Sequence, residues 1–262
     1  ITDFKTAILD ASLESTTVAG ATLDDASISA ITASADNTNV TIKGGSNPVT
    51  LANTHTTGTG ALTIESNAAV ALGASVITTG ALTHTGSGAV TWTAGDSSKA
   101  KTVSTGSGAD DITFSTLTDS LTLSTGAGND SITLSTGATA AKTYTIDGGT
   151  GVDTLKITAD TLDLSAGTAL TLTGIETMQM SGAVNTSVTV SSATLSGKAI
   201  IIDHLTEGDT WDLIAAMGTA TTADFSSLTI NTTRITEADE IVVSNTAATS
   251  GLTITGANGI QN

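Results

Sequence analysis

The sequence contains no cysteine, one proline and almost no aromatic side chains: two Trp, one Tyr and three Phe in 262 residues. Lack of cysteine excludes both a disulfide framework and a thiolate metal site. Scarcity of aromatics means that any core is thin, built from repeated layers of Val, Ile and Leu. Basic residues are also few, eight Lys and Arg against 25 Asp and Glu, for a net charge of -17. That balance argues against nucleic acid and against anionic membranes, both of which need cationic stripes. It suits a solubilising surface or divalent cations. No apolar run approaches the length of a transmembrane segment, and no signal peptide is visible at the start. Because the chain opens on Ile1 rather than Met, it is expected to be a piece of a longer protein.

What is present is small and β-branched. Threonine alone makes up about one residue in five, a composition that favours strands over helices. Short apolar pairs recur at intervals of roughly ten residues: Val40/Ile42, Val49/Leu51, Leu62/Ile64, Val70/Leu72, Val90/Trp92, Ile112/Phe114, Leu121/Leu123, Ile132/Leu134, Tyr144/Ile146, Leu155/Ile157, Leu162/Leu164, Leu170/Leu172, Val188/Val190 and Ile200/Ile202. Each pair is spaced i, i+2, so both side chains point to one face of a strand. Gly, Asp, Asn, Ser and Thr separate the pairs and turn the chain. A sandwich would show hairpin turns and longer alternating strands. Tiny strands at near-regular spacing predict an all-β, parallel β-solenoid, a β-helix or β-roll with irregular caps, whose stacked coils share one apolar stripe.

The rhythm divides the chain into four stretches. Residues 1–35 carry weaker pairs and are expected to form an N-terminal cap or to continue a preceding domain. Residues 36–100 are expected to be solenoid rungs, 101–200 a β-roll, and 201–262 a capping or closing segment. Within the last, Asp209 to Met217 followed by Gly218 has the look of a short helix with a glycine stop.

Three segments pair glycine-rich turns with an Asp and a large apolar residue. They are Thr105-Gly106-Ser107-Gly108-Ala109-Asp110-Asp111-Ile112-Thr113, Thr125-Gly126-Ala127-Gly128-Asn129-Asp130-Ser131-Ile132-Thr133 and Gly148-Gly149-Thr150-Gly151-Val152-Asp153-Thr154-Leu155-Lys156. A degenerate copy, Asp119-Ser120-Leu121-Thr122, lacks the glycines. Glycine permits φ > 0, so such a turn can present its carbonyls, and the Asp adds a carboxylate. Calcium takes six to eight oxygens, more than one turn supplies, so two stacked turns would have to share an ion. Asp110, Asp130 and Asp153 stand one coil apart, which predicts motif turns stacked on one edge.

These segments resemble the RTX family of calcium-binding repeats. The resemblance implies Asp110, Asp130 and Asp153 as calcium ligands, with the carbonyls of Gly106, Gly108, Gly126, Gly128, Gly149 and Gly151; Asn129 and Asp119 join them as candidates. Thr replaces the first glycine in two of the three copies, so one to three ions on one edge are expected rather than a full double row. Leu172-Thr173-Gly174-Ile175-Glu176-Thr177-Met178 is similar to a segment of RTX-type bacterial surface-layer proteins of the Caulobacter type. Ile201-Ile202-Asp203-His204-Leu205-Thr206-Glu207-Gly208-Asp209-Thr210-Trp211-Asp212-Leu213 looks like the stretch that closes many RTX rolls. Together the likeness covers roughly residues 100 to 215. It implies a secreted, cell-surface structural protein that self-associates into a lattice or oligomer, with export by a type I system whose signal is expected beyond Asn262. Contact with cell-envelope glycan is expected through a region outside this chain. The alternative is an RTX adhesin or the calcium-dependent folding module of a secreted protein. For Glu176, Asp203, Asp209 and Asp212, turn or cap hydrogen bonding is the plainer expectation.

Other chemistry fares poorly. His55, His84 and His204 are far apart and show no zinc spacing, so packed or solvated histidines are expected. There is no nucleophile elbow and no phosphate loop. Gly106-x-Gly108 and Gly126-x-Gly128 precede short strands, not the helix a dinucleotide site needs. A polysaccharide lyase of β-helix type would need a basic residue or Tyr beside a charge-neutralising group, whereas Lys43, Lys99, Lys101, Lys142, Lys156, Lys198 and Arg234 are scattered. No enzyme is expected. Thr-x-Thr rows such as Thr171-Leu172-Thr173 raise ice binding, but β propensity and cross-strand hydroxyl contacts account for them more simply.

Overall fold

A computed structural model describes residues 8–11, 15–18, 26–27, 30–33, 39–46, 48–51, 55–56, 60–74, 76–77, 80–94, 102–135, 142–165, 169–181, 186–204, 210–231, 240–244 and 253–256. Among them the chain forms short strands and a single helical turn, Ser192–Leu195. A ten-stranded sheet runs from Ala26–Ser27 to Thr229–Ile230, and an eight-stranded sheet from Ser15–Val18 to Ala169–Thr173. Two four-stranded sheets and one two-stranded sheet complete the walls. Neighbours are parallel, and consecutive strands of one coil belong to different sheets. Ile112 lies opposite Ile132, and Ile132 opposite Leu155, so the coil takes 20 and then 23 residues there, lengthening to 28 between Ile202 and Ile230. This is a parallel β-solenoid.

The alternating burial of each strand is what winds the coil. Leu51, Leu72, Trp92, Ile112, Ile132, Leu155, Met178 and Ile202 follow one another in register along the ten-stranded sheet, all buried. Leu62, Leu82, Val103, Leu123, Ile146 and Leu172 form the corresponding column in the eight-stranded sheet. Every member of the apolar pairs whose side chain is described is buried. Trp92 and Phe114 meet edge to face, ring centroids 5.8 Å apart, the one aromatic pair among the described residues. Outward positions are polar. On the eight-stranded sheet Thr63, Thr83, Ser104, Ser124, Asp147 and Thr173 line up in register, so the hydroxyl row is broken by a carboxylate.

One expectation changes. The stretch Asp209 to Met217 is not helical where described: Trp211–Ala216 is a strand paired with Thr186–Ser191. Trp211, Leu213 and Ala215 point inward and alternate with half-buried Asp212, Ile214 and Ala216, a period of two that overrides the helical composition. Asp209 itself lies outside the described residues. At the other end, strands occur at Ile8–Ala11 and Ser15–Val18, inside the stretch 1–35 expected to be a cap or the continuation of a preceding domain. The helical turn Ser192–Leu195 was not anticipated. It stands where the eight-stranded sheet stops, and the Thr194 hydroxyl donates to the Leu170 carbonyl at 2.8 Å, covering the last strand's edge.

His84 and His204 are buried in the coil interior. His84 Nε2 lies 2.9 Å from the Ser66 carbonyl oxygen, and burial pushes its pKa down, which keeps the ring neutral. The side chain of His55 lies outside the described residues.

Because the column residues carry the fold, Leu123→Ala should lower the unfolding free energy by about 2–5 kcal/mol. Thr122→Ala, one residue along on the outer face, should change it by no more than about 0.5 kcal/mol. Urea midpoints of the two variants check this, and equal losses would contradict the inside-outside assignment.

Candidate functional site

Each coil must pass from the eight-stranded to the ten-stranded sheet, and the first amide of the new strand needs an acceptor one coil further on. Early in the chain that acceptor is backbone: Val49 N–H donates to the Ala69 carbonyl at 2.9 Å and Val70 N–H to the Ala89 carbonyl at 2.8 Å. From Val90 onward an acid takes over. Val90 N–H donates to Asp110 Oδ1 at 2.7 Å, Asp110 N–H to Asp130 Oδ1 at 2.8 Å, Asp130 N–H to Asp153 Oδ1 at 2.8 Å and Asp153 N–H to Glu176 Oε2 at 2.8 Å. The forward pairing ends at Glu176, whose own N–H donates back to the Asp153 carbonyl at 3.1 Å. Asp110, Asp130, Asp153 and Glu176 thus form one vertical column.

The three aspartates are almost fully enclosed, 1 %, 2 % and 0 % exposed respectively. A carboxylate has two oxygens where the carbonyl it replaces has one. Oδ1 is paired in each aspartate, and Oδ2 of each is buried without a hydrogen-bond partner. Burial pushes the Asp110 carboxyl up to about 6, with the Thr105 hydroxyl and the Val90 N–H pulling the other way and the charge of Asp130 adding to the rise. Burial likewise raises Asp153, helped by the charges of Asp130, Glu176 and Asp147 and opposed by the Asp130 N–H. The Thr105 hydroxyl donates to the Thr125 carbonyl at 3.0 Å, and the Thr125 hydroxyl to the Gly148 carbonyl at 2.9 Å.

The glycines stack in two further columns beside the acids. A Cβ on Gly126 would overlap the Gly106 carbonyl oxygen, and one on Gly151 the Gly128 carbonyl oxygen; Gly106, Gly108, Gly128 and Gly149 are crowded in the same way. Gly151 also has φ +142°, closed to most side chains. Gly106 and Gly108 show no such φ, so there the demand is close approach alone. The carbonyls do not all turn into the coil. Gly106 O accepts the Ala127 amide at 3.2 Å and Gly126 O the Thr150 amide at 2.8 Å, each keeping one lone pair.

Two candidate ligands are engaged elsewhere. Asn129 accepts the Val152 amide through Oδ1 at 2.9 Å. Asp119 lies in the turn after Asp111–Phe114, on another edge from the column, and forms an ion pair with Lys142 at 2.9 Å. Asp203 accepts from Gln179 and Asn231 on the outer face. Glu176 joins the column because it follows Asp153 by the same step that separates Asp153 from Asp130. Gly86-Ser87-Gly88-Ala89 is a further glycine turn, repeating Gly106-Ser107-Gly108-Ala109, with Val90 in the acid position.

Among the described residues no three of His, Cys, Asp and Glu close on one point as a ready-made metal cage. A cation held here would meet one carboxylate per coil and complete its shell with turn carbonyls and water. The donor set suits that: hard oxygen atoms only, three of them buried and unpartnered. Compared with known proteins, the chain matches no family model, no curated protein and no solved structure.

Two outcomes follow. Gly151→Ala should cost about 3 kcal/mol or more through strain and overlap. Gly197→Ala, at φ +69° with open space around it, should cost about 1–2 kcal/mol; denaturant titration ranks them. In chelator, Asp110 binds its proton more tightly folded (about 6) than unfolded (3.8). Stability should therefore rise as pH falls from 7 towards 4, by up to about 3 kcal/mol from this residue. Asp110→Asn should flatten that slope in thermal melts, and a melting point that drops steadily over this range would count against a buried charged column.

Proposed function

We propose that this chain is a secreted structural module in which calcium stiffens the acid column, and that it serves as building material of a bacterial surface layer. The observation that carries the calcium reading is the set of three buried aspartates, each with one oxygen already holding the neighbouring coil and the other without a partner. At neutral pH such groups are buried like charges in a column, costly unless neutralised. A divalent cation outside the cell would neutralise them and tie successive coils together. Extracellular calcium modules have dissociation constants of about 10⁻⁴–10⁻³ M. At ten times that constant one site adds about 1.4 kcal/mol, and three would add about 4 kcal/mol against a typical stability of 5–15 kcal/mol. The surface-layer part is supported by the likeness of the glycine-aspartate turns and of the Gly174-Ile175-Glu176-Thr177 segment to RTX-type surface-layer proteins. A stiff coil with polar outer walls suits a load-bearing element.

Melting in millimolar calcium should exceed melting in excess chelator by roughly 10 °C. The triple variant Asp110→Asn, Asp130→Asn, Asp153→Asn should lose that difference while remaining folded. Equal melting of the native chain with and without chelator would remove calcium from the proposal. Electron microscopy of purified protein with calcium should show two-dimensional sheets; dispersed particles that bind glycan or host cells would favour an adhesin.

A further inference from the structure

The acid column stops at Glu176, and the coil that follows is built differently. In the preceding coils the residue before the strand is Asp110, Asp130, Asp153 or Glu176; in the next it is Ile200, buried. Two residues earlier, where those coils carry Gly108, Gly128, Gly151 and Gly174, this coil carries Lys198. Beside the end of the column lies a depression of about 200 Å³, bordered by Thr173, Gly174, Glu176, Lys198 and Ile200. It has room for several waters. Glu176 forms one border and half-buried Lys198 another.

Other cations among the described residues are placed elsewhere. Lys43 pairs with Glu65 at 3.1 Å and Lys142 with Asp119 at 2.9 Å. Lys156 stands on the outer face of the ten-stranded sheet, in register with Gln179. Lys198 makes no ion pair with a described residue and shares its depression with the last acid of the column.

We propose that Lys198 is a tethered counter-charge that closes the acid column at Glu176 and so sets how many divalent cations the column takes. This rests on the calcium reading above. A Lys198 ammonium turned into the depression it shares with Glu176 would offset the carboxylate's charge and repel a doubly charged ion twice as strongly as a singly charged one. The end of the column is then satisfied without a further metal, and calcium is directed to the enclosed steps between Asp110 and Asp153.

Calorimetric calcium titration of the full chain tests this with four proteins: the native chain, K198Q, K198R and K156Q. K198Q should bind its weakest calcium roughly three- to tenfold more tightly, or take one additional ion, while K198R and K156Q titrate like the native chain. A shift of equal size in K156Q and K198Q would show a general effect of net charge and overturn the proposal, as would an unchanged K198Q. Absence of calcium binding in all four would overturn the calcium reading along with it, whereas native binding with an unchanged K198Q removes only the role of Lys198. Circular dichroism of each variant confirms that the coil is intact when the titration is read.

Discussion

The structure depends on how each coil hands the first amide of its new strand to the next coil. In a parallel ladder that donor cannot be left open inside a turn, since a buried unpaired amide costs about as much as a lost hydrogen bond. Where the turn lets the backbone approach, a carbonyl takes the amide, as Ala69 and Ala89 do. Where the facing residue of the next coil is an acid rather than Val70 or Val90, its carboxylate takes the amide instead, as those of Asp110, Asp130, Asp153 and Glu176 do. The geometric problem is the same, but the second solution leaves an oxygen and a negative charge behind. The pKa rise at Asp110 and Asp153 follows from burial of that charge, and the suitability for a hard cation from the leftover oxygen.

The other acids of this strongly negative chain show the contrast. Glu65 and Asp119 face lysines, and Asp203 sits between two side-chain amides. Asp163 turns its carboxylate onto its own Ser165. Those acids have partners or water, and weak surface pairs of this kind contribute little to stability. In the column, Oδ2 of Asp110, Asp130 and Asp153 is buried without a hydrogen-bond partner. Net charge alone would not separate the two groups; position in the turn does.

The coil was legible because inward positions repeat every second residue and their spacing tolerates little variation. Where the inward residue is polar the signal fails: Leu82/His84 and Val103/Thr105 are as buried as the apolar pairs around them, but His84 and Thr105 hide the pattern. At Trp211–Ala216 small, helix-tolerant residues masked a period of two that pairing with Thr186–Ser191 decides. The Asp column was legible from glycine spacing. Glu176 was harder, because it keeps the step of 23 residues from Asp153 but changes the side chain. A longer side chain reaches the same amide from Gly174-Ile175-Glu176, where the glycine pattern is reduced. Asp119 shows the opposite error: its step from Asp110 is only nine residues, less than one coil, which places it on a different edge.

Stacking like charges inside a protein is ordinarily selected against, and a solenoid could close all its turns as it closes those at Ala69 and Ala89. Four consecutive coils that do otherwise therefore call for something that neutralises them after folding or during it. A proton does so below about pH 6 at Asp110, and on the calcium proposal a divalent cation would do so at neutral pH without needing acid. The two would then compete for the same oxygen, so that the coil would tighten wherever either is abundant and loosen where both are scarce. The glycine columns, crowded too closely for a side chain, keep the acids aligned, so that such a gain would be shared along the column rather than confined to one coil.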